Sequence, residues 1–405
     1  MCYHKYGGDC MKNNLICLVI GSLFMILCGC SSTGHKKNIV NSIDLLVTDD
    51  LIFALDDSTV QSFEYMQFFQ RNDSSILAFT NEYDNSIVFY DYSTKKYINR
   101  IHFDKEGNNG VGTVLSFYYL NSDSIYLYNV LMGTLFLTNS RGMVKERHKL
   151  KMSLNLTPDS LFIAPLLFPQ TNSPLTKLGD ELLISGFFPN EFEGENAVNR
   201  PVMTYFDCKN QTIRHSDSYP AIYHKGNWGG GFSYRNPFFT ISPQNEIVLS
   251  FAADSQVRVH SIKTEDYREF YAGVGGEHKI SPAEKDIRME LFTYEKQRRH
   301  YIQNLSYGAI HYDRYRDVYY RLAFLPDPEI DVQDEALRKP MEIIVLNNRF
   351  EVIGKSRIED DLYWVNQCFV SLDGFHIQVK SDDDDILCFK TFVYEKNKST
   401  DVFTI

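Results

Sequence analysis

A single device repeats along this chain and restricts it to few folds: a short alternating or wholly apolar run, a turn rich in Asn, Asp, Gly or Ser, then another such run. Ser75-Ile-Leu-Ala-Phe79 leads into Ser86-Ile-Val-Phe-Tyr90, a turn at Asp91 to Lys95, and Tyr97-Ile-Asn-Arg-Ile-His-Phe103, the pattern of a three-strand antiparallel meander. Comparable runs stand at Val114 to Tyr119, Ser124 to Tyr128, Thr134 to Thr138 and Val144 to Leu150. Others follow at Leu182 to Phe187, Val202 to Phe206 and Thr212 to His215. Phe238 to Ile241, Glu246 to Phe251, Val257 to Ile262 and Tyr267 to Tyr271 make the next set, and two more span Ile310 to Arg357 and Trp364 to Phe403. With 29 Phe and 26 Tyr against 2 Trp, the aromatic load suits pleated, half-buried surfaces, so an all-β body is expected.

The turn after the third strand of each set recurs near Asp91, Asn139, Asp207, Ser261 and Asn347, at intervals of roughly 50 to 85 residues. Four-stranded units repeated around an axis bury both faces against neighbours and leave only short edges. Five complete units and one shared between the termini predict a six-bladed β-propeller over residues 43–405, with a pair of β-sandwich domains as the competing architecture. One inserted helix is expected. Ser281-Pro282-Ala283-Glu284 reads as a capping box with proline at the first helical position, and Ile287, Leu291 and Tyr294 then recur on one face toward His300.

Leu27-Cys28-Gly29-Cys30 closes a segment with the order of a bacterial lipoprotein signal: basic Lys12, an apolar stretch from Leu15 to Leu27, and small Gly29 before Cys30. Residues 1–29 are read as the signal peptide, Cys30 as the lipid-attachment residue, and 30–42 as a lipidated polar tether. Because a basic region normally starts such a signal, Met11 is the expected start and residues 1–10 an over-extension. Ser31, with no acidic run behind it, points to the outer membrane and the periplasmic side. An ordinary secretory signal or a single-pass anchor is the alternative.

The net charge of −11 opposes binding to phosphate backbones and to anionic lipid through a basic patch, so no nucleic-acid partner is expected. Beyond Cys30 only Cys208, Cys368 and Cys388 remain, an odd count that argues against a disulfide framework. Cys368 and Cys388 either pair across neighbouring strands or stand as isolated buried thiols.

Linear catalytic motifs are absent: there is no His-Glu-x-x-His, no His-x-His and no Gly-x-Ser-x-Gly. Asp382 to Asp385 lacks the spacing and central glycine of a calcium loop, and neither Gly226-Asn-Trp-Gly-Gly-Gly231 nor Gly273-Val-Gly-Gly276 is followed by the Lys-Ser/Thr of a phosphate loop. Gly354-Lys355-Ser356 lies in a strand. No cofactor, metal or catalytic residue is assigned. Insertions between blades gather at the mouth of a propeller, which singles out Tyr223, His224 and Trp228 on the first glycine-rich loop, and Arg298 and Arg299 near the helix end, as ligand candidates. In Ser306 to Phe324, alternation puts Tyr307, Ala309 and His311 on one face and Val318, Tyr320 and Leu322 on another. There Arg314, Arg316 and Arg321 with Tyr312 and Tyr319 make either a patch for a carboxylate or sugar, or Arg–Asp and Arg–Tyr pairs on an exposed blade edge.

That run, with Asn85-Ser86-Ile87-Val88-Phe89-Tyr90-Asp91, resembles the hallmark of a family of Gram-negative lipoproteins, domain-of-unknown-function family 4221. The lipobox, the helix followed by Tyr-Gly, the Tyr-Asp-Arg-Tyr-Arg run and the closing Asp-Gly turn stand in the expected order over most of the mature chain. The resemblance implies a six-bladed propeller anchored in the cell envelope, with no assigned reaction and no catalytic residues to carry over. The expected function is a lipid-anchored binding or scaffolding module, reaching the membrane through its lipid and meeting an envelope protein or a glycan. The alternatives are a propeller enzyme, hydrolase or lyase, acting on glycans or peptides with acids drawn from several blades, and a passive structural lipoprotein.

Overall fold

The computed structural model describes residues 40–150, 165–188, 200–224, 226, 228, 232–276, 278, 280–283, 293–333, 339–358 and 363–395. The compact unit spans Ile39–Ile405. Six antiparallel sheets follow one another along it. Blade I comprises Met66–Arg71, Ser74–Asn81, Ser86–Asp91 and Tyr97–His102, and blade II comprises Phe117–Asn121, Ser124–Asn129, Thr134–Thr138 and Val144–Lys149. In blade III the inner strand is split into Leu166–Leu167 and Thr176–Leu178, followed by Glu181–Phe187, Pro201–Asp207 and Thr212–Ser218. Blade IV is Phe238–Ile241, Ile247–Ser250, Gln256–Ser261 and Asp266–Tyr271, and blade V is Ser306–Asp313, Val318–Phe324, Met341–Asn347 and Val352–Arg357. Blade VI takes Tyr363–Val370, Phe375–Val379 and Ile386–Val393 from the C-terminal end and Leu46–Ala54 from the N-terminal end as its outer strand. The first strands of blades II, I, VI, V and IV touch one after another around the axis. This is a six-bladed β-propeller closed by one shared blade.

The pattern works because every sheet is covered on both sides. Side chains alternate across a strand, so Ile76 and Ala78 enter the cluster between blades I and II while Leu77 and Phe79 enter the one between blades I and VI. Each of the six blade interfaces holds one such apolar cluster among the described residues. In blade V a bulge between Tyr307 and Ile310 breaks the expected alternation. Ala309 joins Val318, Tyr320 and Leu322 toward blade VI, whereas Tyr307 faces blade IV.

The turns between third and outer strands are built alike. Oδ1 of Asp91, Asn139, Asp207 and Asn347 accepts a backbone N–H two or three residues on, from Thr94, Arg141, Asn210 and Arg349. A left-handed residue closes each turn, namely Lys95, Gly142, Gln211 and Phe350, with Glu265 in blade IV where Ser261 replaces the Asx residue. These turns and those between first and second strands lie on one face. Successive strands run in opposite directions, so the longer connections, such as 103–116, 272–305 and 325–340, all emerge on the other.

Two boundaries differ from expectation. Asn41 and Ser42, assigned to the tether, lie along the outer strand of blade V: Ile43 N donates to Lys355 O at 2.8 Å and Lys355 N to Asn41 O at 3.0 Å. Gly354 permits this approach, since a Cβ there would meet Ile43 Cγ2 at 2.5 Å. The described helix α1 (Tyr294–Gln303) is capped by Thr293, whose Oγ1 accepts from Lys296 N, and not by Ser281. Ser281-Pro282-Ala283 is not helical, and Ser281 N and Oγ donate instead to Oδ1 of Asn304, the C-cap of α1. Residues 284–292, which include Ile287 and Leu291, lie outside the described residues. No described helix is long and apolar enough to cross a membrane.

Candidate functional site

The axis of the ring is occupied by its own chain. Between the two halves of the blade III inner strand, Gln170 and Ser173 close a tight turn through Gln170 N to Ser173 O and Ser173 N to Gln170 O. Thr171, Asn172 and Ser173 are polar yet buried, so each must find a partner. Thr171 Oγ1 accepts from Met66 N of blade I at 3.0 Å and donates to Gln367 Oε1 of blade VI at 2.5 Å. Asn172 Nδ2 donates to Val365 O at 2.7 Å, and its Oδ1 lies 3.2 Å from His311 Nε2 of blade V. Ser173 Oγ donates to Pro237 O, at the entry to blade IV, at 2.5 Å. The turn is therefore a plug tied to four other blades.

Beside the plug, on the face of long connections, blades I, II and III enclose a cavity of about 270 Å³. Leu115, Val130, Phe168 and Pro169 wall it with carbon. Glu64, just before the first strand of blade I, and Glu82, just after its second strand, bring two carboxylates to the rim. Glu64 is held above the usual carboxylate range, first by partial burial and then by the neighbouring charge of Glu82. Ser116 Oγ donates to Tyr128 O at 3.0 Å. Tyr128 also lines the cavity; it is 1% exposed, and its buried hydroxyl has no hydrogen-bond partner in the protein. Burial raises its phenol pKa, so it is a neutral O–H donor. Gln170 contributes an amide whose Oε1 accepts from Asn236 Nδ2 at 2.7 Å, leaving the amide N–H groups as donors.

Residues 42–357 match the domain of unknown function DUF4221. The chain belongs to that family. A DUF4221 member from Bacteroides vulgatus, known from a crystal structure, superposes with a TM-score of 0.71 at 21% identity, covering 87% of this chain and 99% of that one. A putative exported protein of Bacteroides fragilis gives a TM-score of 0.53 at 10% identity, over 89% of this chain and 98% of that one. At these identities the likeness is one of fold. No curated protein matches the sequence.

In this DUF4221 propeller the two aromatic residues singled out on the glycine-rich loop are buried. Tyr223 and Trp228 are 5% and 3% exposed and belong to the cluster between blades III and IV. Trp228 stacks obliquely on Tyr223 and Tyr234, and its Nε1 donates to Ile222 O. The Tyr223 hydroxyl donates to Tyr234 O and accepts from Ala253 N. His224 ends the same 3-10 turn, half-buried. Arg298 is braced through Nε to Val332 O at 2.7 Å and packs over Tyr294, while Arg299 is exposed and pairs with Glu295 one turn back. None of these five residues lines the cavity beside the plug or the one between the outer strands of blades III and IV.

The arginines of Ser306 to Phe324 also part company. Arg314 lies against Tyr315; Arg316 pairs with buried Asp313 at 3.1 Å and reaches the carbonyls of Leu372 and Asp373 in blade VI. Arg321 is wholly buried between blades IV and V. The local Arg–Asp and Arg–Tyr pairs form for the first two; the three-arginine patch does not. Cys368 and Cys388 face Ile377 and Val379 on strands separated by a third, and no disulfide joins them.

A second concavity, about 510 Å³ between the outer strands of blades III and IV, is lined by His215, Arg258, Tyr267 and Glu269. Behind it Tyr205 donates to Asp217 Oδ2 at 2.7 Å, and His260 Nδ1 lies 2.8 Å from Asp217 Oδ1. Tyr267 stacks on His260, and Arg258 is engaged by Glu269 and by Ser218 O. Its Arg258–Glu269, Tyr205–Asp217 and His260–Tyr267 contacts, with Arg258 reaching Ser218 O, tie two blades together.

Proposed function

We propose that this chain is a lipid-anchored binding module of the cell envelope, held through Cys30, whose ligand site is the mouth cavity of blades I to III. The observation that carries the site is the Tyr128 hydroxyl: a buried O–H with no protein partner costs about 1–3 kcal/mol, which a ligand acceptor recovers. The anchor rests on the lipobox and on the polar stretch that follows it. Two measurements test the two halves. Intact mass of protein extracted from membranes should give an acylated N-terminus at Cys30, and any other N-terminus removes the anchor. Thermal-shift screening of the full-length protein should return ligands whose stabilisation is lost in Tyr128→Phe; ligands indifferent to that change move the site elsewhere.

A second reading draws on the same carboxylates. Two neighbouring carboxylates, one with its pKa raised by burial and by the other's charge, are the kind of pair that glycoside cleavage uses. That reading demands turnover: release of new reducing ends from a glycan, abolished in Glu64→Gln.

A further inference from the structure

We propose that the mouth cavity receives a primary ammonium group carried next to an apolar side chain and a carbonyl, the unit found at the amino terminus of a peptide and in a free amino-acid amide. The inference rests on the cavity being a ligand site. Its lining holds two carboxylates, Glu64 and Glu82, and no Lys, Arg or His, so a ligand placed there gains by bringing positive charge. Two carboxylates alone do not make a metal site, and no group of three metal-binding side chains stands together among the described residues. An anion would be repelled, and a neutral sugar would leave both charges uncompensated. The raised pKa of Glu64 marks the same deficit, which an ammonium beside it relieves.

The remaining groups complete the match. Tyr128 O–H and the Gln170 amide are donors without an acceptor of their own, as a carbonyl requires, and Leu115, Val130 and Phe168 offer a slot for an aliphatic side chain. At about 270 Å³ the cavity lies below the usual range of drug-sized pockets, roughly 300–1,000 Å³, so the occupant is a small molecule or a chain end. Tyr83 and Leu131, which follow Glu82 and Val130 in the chain, are 74% and 87% exposed and provide apolar surface where a longer chain would leave.

The test is calorimetric titration of the detergent-purified full-length protein at neutral pH with leucinamide, Leu-Gly-Gly, N-acetyl-leucinamide and N-acetylglucosamine. Leucinamide should bind, and acetylation of its amine should weaken it by about tenfold or more. Glu64→Gln and Glu82→Gln should each weaken leucinamide by several-fold to about tenfold, with unchanged far-UV circular dichroism. Leu-Gly-Gly binding more tightly than leucinamide identifies a chain end as the natural source, and the reverse order a free small molecule. Equal binding of the acetylated and free amines, or no binding of either free amine, overturns the inference. If N-acetylglucosamine then binds and loses affinity in Tyr128→Phe, the cavity remains a ligand site of other chemistry; if no compound responds to Tyr128→Phe, the site itself fails with the inference.

Discussion

His376 has no exposed surface, and both ring nitrogens are engaged: Nδ1 lies 2.8 Å from Thr391 Oγ1 and Nε2 2.7 Å from Ser371 Oγ. Burial first, and then the charges of Lys95 and Arg316, push its pKa down to about 3, so the folded protein keeps it neutral. The unfolded chain takes up a proton near pH 6.5 that the folded chain refuses. Stability contributed by this histidine is therefore complete above pH 6.5 and falls as the pH drops from there toward about 3, by about 1.4 kcal/mol per pH unit. Urea unfolding of the wild type and of His376→Gln should show no difference in slope above about pH 7 and a difference approaching that amount between about pH 5.5 and 4. Equal slopes would mean that His376 is protonated in the folded ring. Arg321 poses the opposite problem, a buried cation with no carboxylate bonded to it. It donates to Ser250 Oγ and to the carbonyls of Ala272, Phe251 and Asp254, and lies 4.0 Å above the Tyr307 ring. Its head thus satisfies carbonyls at the blade IV corner.

At the scale of elements, the plug is a buried polar turn and is held by side-chain bonds to other blades. Asn172→Ala removes the donor to Val365 O and the partner of His311, and an unmet buried group costs about 1–3 kcal/mol. Chemical denaturation should register a loss of that size, with leucinamide binding at the mouth unchanged; a loss well under 1 kcal/mol would mean that water replaces the amide. The plug also marks where sequence patterning stops being informative. The five turn landmarks at Asp91, Asn139, Asp207, Ser261 and Asn347 all stand where expected, because Asx chemistry and a left-handed residue are local requirements. Phe168-Pro-Gln-Thr-Asn-Ser-Pro-Leu175 has the composition of an exposed loop, and only the surrounding blades make it a core element. Arg321 misleads in the same way, since arginine is ordinarily a surface residue. Trp228 and Tyr223 sit in a glycine-rich stretch that suggests an open flap, yet their rings fill a blade interface. The mouth carboxylates were within reach: an acid just before an inner strand and another just after the second strand of the same blade fall on one face of a propeller, as Glu64 and Glu82 do.

At the scale of the whole molecule, the ring is closed by Leu46–Ala54 pairing with Ile386–Val393, two segments from opposite ends of the sequence. Phe53 is the anchor of that seam: wholly buried, edge-on to Tyr90 of blade I at 5.7 Å and to Phe389 of blade VI at 6.2 Å. Phe53→Ala should cost about 3–5 kcal/mol through lost burial and the cavity left behind. How that loss is distributed tells whether the ring is one cooperative body. A linear stack of repeats would lose stability near the damaged seam and keep it elsewhere. A closed ring with six filled interfaces and a plug bonded to four blades has no independent segment to keep. The two tryptophans report on both cases, Trp364 from the inner strand of blade VI, the blade that holds the seam, and Trp228 from the interface of blades III and IV. In single-tryptophan variants made with Trp→Phe, both fluorescence transitions should move to lower urea by the same amount when Phe53→Ala is added, and both should coincide with far-UV circular dichroism. A shift seen by Trp364 and not by Trp228 would show that the blades unfold one by one.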